Sequence, residues 1–244
     1  MKQSTFEIIS KKQLTRDVFR MTFFADTDAI TAPGQFINIA LDGLYLRRPI
    51  SVCDADGSTL TIIYKVVGKG TEKLAALPVG TKLDVLSGLG NGYDLANSGA
   101  RPLLIGGGVG VPPLYMLAKE LRRKGKEVTV ILGFNTADEV FYPTHFEQLG
   151  AKVIVTTADG TRGVQGFVTD ALDQAGDYTY VYTCGPEPML RAVYNAISTE
   201  GEFSFEERMG CGFGACMGCT CKTKYGNKRI CKDGPVLKKE EIVW

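Results

Sequence analysis

The chain has 244 residues, 44% of them hydrophobic and 23% charged, with seven cysteines and a formal net charge of +1. That length allows one large or two ordinary domains, and the near-neutral balance excludes an overall nucleic-acid or polyanion footprint. No run approaches the ~18 apolar residues of a membrane span, and the start MKQSTFEIISKKQ lacks a secretory apolar core, so a cytoplasmic location with reduced thiols is expected.

From residue 5 to about 98, short β-rich runs alternate with Gly, Pro and Asp: FEIIS, VFRMTFF, QFINIAL, RPISVCD, TLTIIYKVV and TKLDVLS. This spacing predicts an antiparallel barrel or sandwich. One short helix is expected from Thr71, capping EKLAAL before Pro78. From Arg101 the pattern changes. The apolar run RPLLIGGGVG feeds a glycine turn, and the helical VPPLYMLAKELRRKGK follows, its prolines acceptable in a first turn. Next come strands at EVTVILGF and AKVIVTTAD, a helix-like VQGFVTDALDQAG, a strand at YTYVYTCGP and a helix at EPMLRAVYNAISTEG. Strands alternating with helices predict βαβ units and a parallel sheet. A Gly/Cys/Lys-rich tail begins at Phe205.

Three motifs carry chemistry. Gly106, Gly107, Gly108 and Gly110 lie where a buried strand turns into a helix, a place whose free N–H groups suit a phosphate. The spacing is not the G-x-G-x-x-G fingerprint, because Val111 holds the third glycine position. A tight turn without ligand therefore competes with this reading. Cys184, Gly185 and Pro186 end another strand of the same sheet and are expected to face the same crevice. In the first region Arg48, Pro49, Ile50 and Ser51 open a strand, while Lys65, Val66 and Val67 precede Gly68, Gly70 and Thr71. An arginine, a hydroxyl and a glycine-rich helix start suit a pyrophosphate.

The tail holds five cysteines in CGFGACMGCTCKTKYGNKRIC. Cys211-x4-Cys216-x2-Cys219, followed by Cys231, is the plant-type [2Fe–2S] spacing, with Cys221 left over. Gly212, Gly214, Ala215 and Gly218 provide the small residues such a loop needs. Zinc competes, although paired knuckles are missing and the only histidine, His145, sits far away in YPTHFEQ on an expected surface helix. Redox thiols are the third possibility.

The order RPIS, YKVVGKGT, GLGNG, GGGVGVPP, CGPEPM, CGFGACMGC and ICKDGP resembles the ferredoxin–NADP reductase superfamily. Within it, the resemblance is to the iron–sulfur electron transfer subunits of B-type dihydroorotate dehydrogenases. It implies an α+β multidomain fold: an FAD-binding antiparallel β-barrel (1–98), an NAD-binding α/β parallel-sheet domain (99–204) and a small [2Fe–2S] domain (205–244). It implies FAD held by Arg48, Pro49, Ile50, Ser51, Lys65, Val66, Val67, Gly70 and Thr71, and a cluster on Cys211, Cys216, Cys219 and Cys231. NADH would lie over Gly106–Gly110 near Gly185 and Pro186, with Cys184 beside the nicotinamide. Ser87 stands where the family often has proline. The lack of basic residues in GFNTADEV favours NADH over NADPH.

A hydride carries two electrons and an iron–sulfur cluster takes one, so a flavin belongs between them. The resemblance supplies the partner, an FMN-containing catalytic subunit in a heterotetramer with two copies of each chain. Electrons from dihydroorotate would reach NAD+ by way of the cluster and FAD, serving pyrimidine synthesis. The basic tail residues Lys222, Lys224, Lys228, Arg229, Lys232, Lys238 and Lys239 offer a docking face, with a merely solvated tail as the alternative. Two further functions compete: the small subunit of an NADH-dependent ferredoxin:NADP oxidoreductase or sulfide dehydrogenase, and a zinc-stabilised interaction module.

Overall fold

A computed structural model describes all 244 residues, Met1–Trp244. Six strands close into an antiparallel barrel: β1 (Lys2–Gln13), β2 (Val18–Phe24), β3 (Phe36–Ile39), β4 (Arg48–Asp56), β5 (Thr59–Lys65) and β6 (Lys82–Leu89). Their order is β1-β2-β5-β4-β3-β6, and β6 pairs back onto β1. Alternation along each strand sends every second side chain inward. Phe6, Met21, Phe23, Ile37, Ile39, Leu60, Ile62 and Val85 fill the interior, each burial contributing about 1.5–3 kcal/mol.

Helix α1 (Lys69–Ala76) packs Leu74 into this core. It starts two residues before the expected Thr71. Thr71 lies inside the first turn, where its Oγ1 accepts the Val67 and Gly68 N–H groups at 2.9 and 3.2 Å. The hydroxyl caps the helix from within because Gly68, at the cap position, has no side chain to do so.

After β6, the turn Gly88–Gly92 leads into the second unit. Its strands are β7 (Pro102–Gly107), β8 (Thr129–Phe134), β9 (Lys152–Thr157), β10 (Val164–Gln165), β11 (Tyr180–Cys184) and β12 (Gly201–Ser204). Its helices are α2 (Pro113–Arg123), α3 (Pro143–Gln148), α4 (Leu172–Ala175) and α5 (Glu187–Ala196). The segment 164–176, expected as a helix, instead contains β10, a 3-10 turn at Val168–Ala171 and the single turn α4. Gly166, at φ +117°, breaks the helical run before it begins. The preceding helix α2 follows its apolar period: Leu114, Leu117, Ala118 and Leu121 are buried against one sheet face.

The tail adds the hairpin β13 (Thr220–Thr223) and β14 (Gly226–Arg229), then β15 (Val236–Lys238). The sheet order is β10-β9-β8-β7-β11-β12-β15, parallel except for β15, which runs antiparallel to β12. The chain winds outward from β7 in one direction and from β11 in the other. The switch point therefore lies between the carboxyl ends of β7 and β11, where ligands of open α/β sheets bind. On the sheet face opposite α2, Leu190 and Val193 of α5 share one apolar cluster with Cys219, Ile230, Cys231 and Leu237 of the tail. No helix is long and apolar enough to cross a membrane.

Candidate cofactor sites

At the switch point the two glycine motifs touch. Cys184 pairs with Gly106 in the β7–β11 ladder. A side chain at Gly110 would overlap the Cys184 carbonyl, and one at Gly107 would overlap the Met189 sulfur. The glycines of this turn are thus required by close packing of GGGVG against CGP as well as by approach of a ligand.

A cavity of ≈ 350 Å³ lies where barrel, sheet and tail meet, within the range of small-molecule sites. From the barrel side it is lined by Phe36, Arg48, Pro49, Ile50, Ser51, Ile63, Tyr64, Lys65, Val67 and Thr71. Val109, Cys184 and Ser204 line it from the sheet, and Phe205, Glu206, Glu207, Met209 and Pro235 from the tail. The structure therefore brings most of the RPIS and KVVGKGT residues together with Cys184. Val66, Gly70, Gly106, Gly107, Gly108, Gly110, Gly185 and Pro186 stand outside the lining. Gly70 has another part: a side chain there would overlap the Arg48 guanidinium, which lies directly against the start of α1. The first N–H groups of that helix have no intrahelical partner, and with the arginine beside them they are the kind of donors an anion needs.

Two observations fit a flavin dinucleotide. Arg48 and the α1 start suit its pyrophosphate. Tyr64, 2% exposed, points a buried hydroxyl that has no protein partner, and burial raises its pKa well above the ordinary phenol value. A ligand hydrogen bond there would relieve the cost of an unpaired buried hydroxyl. Cys184 is buried as well, and burial, reinforced by Glu206, pushes its thiol up to about 12. It is an uncharged thiol at neutral pH, suited to packing and not to nucleophilic attack.

The cysteine loop follows at once. Backbone N–H groups surround its sulfurs: Ala215 and Cys216 donate to Cys211 Sγ at 3.3 and 3.4 Å. Cys211 and Gly218 donate to Cys216 Sγ at 3.5 Å each, and Cys231 donates to Cys219 Sγ at 3.3 Å. Burial opposes ionisation of Cys211, but the N–H groups of Phe213, Cys216 and Ala215 and the Cys216 thiol outweigh it, giving a pKa of about 6. Burial, with the Cys219 thiol beside it, pushes Cys231 up to about 12. The thiols thus form two neighbouring pairs, Cys211 with Cys216 near the surface and Cys219 with Cys231 inside. No three His, Cys, Asp or Glu side chains gather as they would around a single ion. Two pairs match the donor set of a two-iron cluster, four thiolates with N–H donors to sulfur. Cys221 sits in β13 opposite Lys228 and packs on the tail's apolar cluster, and burial raises its pKa.

The loop owes its shape to left-handed residues and to distant side chains. Gly212 and Gly214 have φ of +79° and +90°, and Met217 holds φ +60° between two cysteines. Asn38, 1% exposed and paired with Pro49 in the barrel, donates from Nδ2 to the Cys211 carbonyl at 3.3 Å. Its own Oδ1 has no partner. Asn91 in the GLGNG turn binds the segment after Cys231, donating to Asp233 O and Val236 O and accepting from Val236 N, at 3.1–3.2 Å. Arg229 Nη1 donates to Gly214 O at 2.9 Å while Nε and Nη2 grip Asp233. Asn38 falls in no motif, and Asn91 stands inside GLGNG with no role assigned by it. The available signals were a lone polar residue in the apolar run FINIAL and, for Arg229 and Asp233, opposite charges four positions apart.

These ties engage some of the tail cations and leave others free. Arg229 is engaged with Asp233, Lys228 bridges Glu241 at 2.6 Å, and Lys239 donates to the Ile197 and Thr199 carbonyls. Lys222, Lys224, Lys232 and Lys238 remain exposed. In GFNTADEV, the Glu139 carboxylate accepts from Asn135 N and Nδ2, so this turn carries anions and no cation. His145 lies in α3, half-buried and stacked on Tyr142 at 3.9 Å.

A barrel with an arginine at a helix start, a parallel sheet with its glycine turn and a four-thiol loop define an oxidoreductase of the electron-transferring kind. Residues 206–243 match the iron–sulfur cluster binding domain of dihydroorotate dehydrogenase B, and residues 104–195 match the oxidoreductase NAD-binding domain. The chain belongs to the family of dihydroorotate dehydrogenase B (NAD(+)) electron transfer subunits. It is 43% identical to the subunit of that name from Shouchella clausii, over 99% of this chain and 98% of that one. The Fusobacterium nucleatum subunit is also 43% identical, over 94% of each chain. Among solved structures, a chain of the NADH-dependent reduced ferredoxin-NADP oxidoreductase superimposes with TM-score 0.90 at 30% identity, covering 99% of this chain and 90% of its own. The ferredoxin reductase of carbazole 1,9a-dioxygenase shares the fold, with TM-score 0.69 at 22% identity over 80% of this chain and 64% of its own.

Proposed function

We propose that this chain is the electron transfer subunit of a cytoplasmic NAD-dependent dihydroorotate dehydrogenase. It joins dihydroorotate oxidation on an FMN-containing partner to NAD+ reduction in pyrimidine synthesis. Three units divide the work: residues 1–98 hold FAD, 99–204 hold NAD(H), and 205–244 hold a [2Fe–2S] cluster and meet the partner. The observation that carries this reading is the single cavity shared by Arg48, Ser51, Thr71 and Cys184, with the cysteine loop fastened to the same barrel by Asn38. A flavin bound there supplies the exchange between a two-electron hydride and single electrons.

The chain's own residues do the rest. Arg48, Gly70 and Thr71 bind the pyrophosphate, Pro49, Ile50, Ser51, Lys65 and Val67 line the remaining flavin contacts, and Val66 joins them through its backbone only. Gly106, Gly107, Gly108 and Gly110 admit the dinucleotide, with Gly185 and Pro186 beside it. Cys184, kept neutral by burial, packs near the nicotinamide. Cys211, Cys216, Cys219 and Cys231 ligate iron, and their N–H donors tune it. Oxidation of the carbon substrate is assigned to the partner.

The isolated chain should therefore reduce artificial acceptors with NADH yet form no orotate from dihydroorotate. Orotate formation without a partner would sink the reading. A second reading rests on the 0.90 superposition: the small subunit of an NADH-dependent ferredoxin:NADP oxidoreductase. Co-purification separates the two. An FMN subunit of TIM-barrel size supports the first, and a larger subunit with further iron–sulfur clusters supports the second.

A further inference from the structure

Arg229 closes β14 two residues before Cys231, and the chain folds back so that its guanidinium reaches the opposite arm of the cysteine loop. Nη1 donates to the Gly214 carbonyl, between the first two cysteines, at 2.9 Å. Nε and Nη2 hold the two oxygens of Asp233 at 2.8 and 3.1 Å, and the Arg229 N–H donates to Asp233 Oδ2 at 3.0 Å. The Arg229 carbonyl in turn accepts from Lys232, Asp233 and Gly234 N–H groups. The fork is bidentate and half-buried, so the position of this charge is fixed in a way a lysine would not match. The guanidinium thus bridges the two arms of the loop that carry the thiols, held in place by the Asp233 carboxylate that accepts from it.

Resting on the cluster assignment above, we propose that Arg229 and Asp233 are positioning residues that set the reduction potential of that cluster. Arg229 raises it, and Asp233 partly offsets the raise while aiming the guanidinium. One-electron reduction adds a unit of negative charge to the cluster and its thiolates. A fixed cation nearby favours the reduced form and a fixed anion the oxidised one. Braces that served only to shape the loop would have no such sign.

The test is a mediator-controlled redox titration of the whole chain with its flavin, followed by electron paramagnetic resonance, the flavin couple serving as internal reference. Arg229→Gln should shift the electron distribution away from the cluster about tenfold, which is 59 mV for one electron. Asp233→Asn should shift it the other way, and Arg229→Lys should stay within about threefold of the unaltered chain because charge is kept. Shifts of the same sign in Arg229→Gln and Asp233→Asn, or none beyond twofold in either, would overturn the proposal. If Arg229→Gln holds no iron, Asp233→Asn decides: a shift toward the reduced cluster supports the proposal, and any other result overturns it. An unaltered chain that binds no iron would overturn the cluster assignment itself, and the inference with it.

Discussion

The glycine turn at 106–110 and the cysteine loop at 211–219 are both glycine-rich, yet they are held in opposite ways. The turn is fixed by regular structure: two adjacent parallel strands deliver Gly106 and Cys184 side by side, and the contact at Gly110 is backbone against backbone. The loop has no ladder of its own. Its course is imposed by side chains from the barrel and from the segment around Cys231: Asn38, Arg229 and the stem of Lys232, with Asn91 of the GLGNG turn holding that segment in turn. A regular site is damaged by what is added to it, and an irregular one by what is taken away.

Removal from the loop should give the largest effects. Cys219→Ser or Cys231→Ser, each taking a buried donor from the inner pair, should abolish iron binding in the purified protein, whereas Cys221→Ser should keep it by iron analysis and visible absorption. Loss of iron in Cys221→Ser with retention in Cys231→Ser would reverse the ligand assignment. Addition to the turn comes next. Gly110→Ala must displace the Cys184 peptide, costing about 3 kcal/mol of unfolding free energy, read from the urea midpoint, and weakening NADH binding in parallel.

Gly70→Ala sharpens the contrast, since its added methyl meets only the flexible Arg48 side chain. Alanine inside a helix should leave stability unchanged or higher by about 0.5–1 kcal/mol. Flavin retention should fall about tenfold, the worth of one charge-assisted contact, as measured by fluorescence of released FAD.

The smallest effect concerns the sheet between them. Glu202, 2% exposed in β12, accepts from Asp94 N at 2.9 Å and Tyr180 OH at 3.4 Å. Burial raises its pKa above 4.5. Folding then favours the protonated acid, so its contribution is fully present below pH 4.5 and is lost as pH rises through the folded value. Glu202→Gln should flatten the decline in urea midpoint above that pH.

Much of this was legible in the sequence, and the reasons differ by region. The barrel strands follow period two and the sheet strands are continuous apolar runs, so both were visible. The x4, x2 rhythm named the thiols because a cluster dictates ligand spacing within one loop. What supports that loop was not legible. Asn38 lies 173 positions from Cys211, and no local pattern records a contact made across the fold. The segment 164–176 misled because its apolar residues recur at helical spacing while Gly166 prevents the helix. In the basic tail, charge in the sequence does not show which cations are already paired.

β15 is three residues long, antiparallel and ends in Lys238 with Lys239 next, and it covers the outer edge of β12. Without it, Gly201–Ser204 would offer a row of unsatisfied backbone groups to any passing strand. The segment that anchors the thiols therefore also guards against edge-to-edge self-association. A chain that failed to seat its metal-binding arm would risk precipitation before it risked a failure of electron flow.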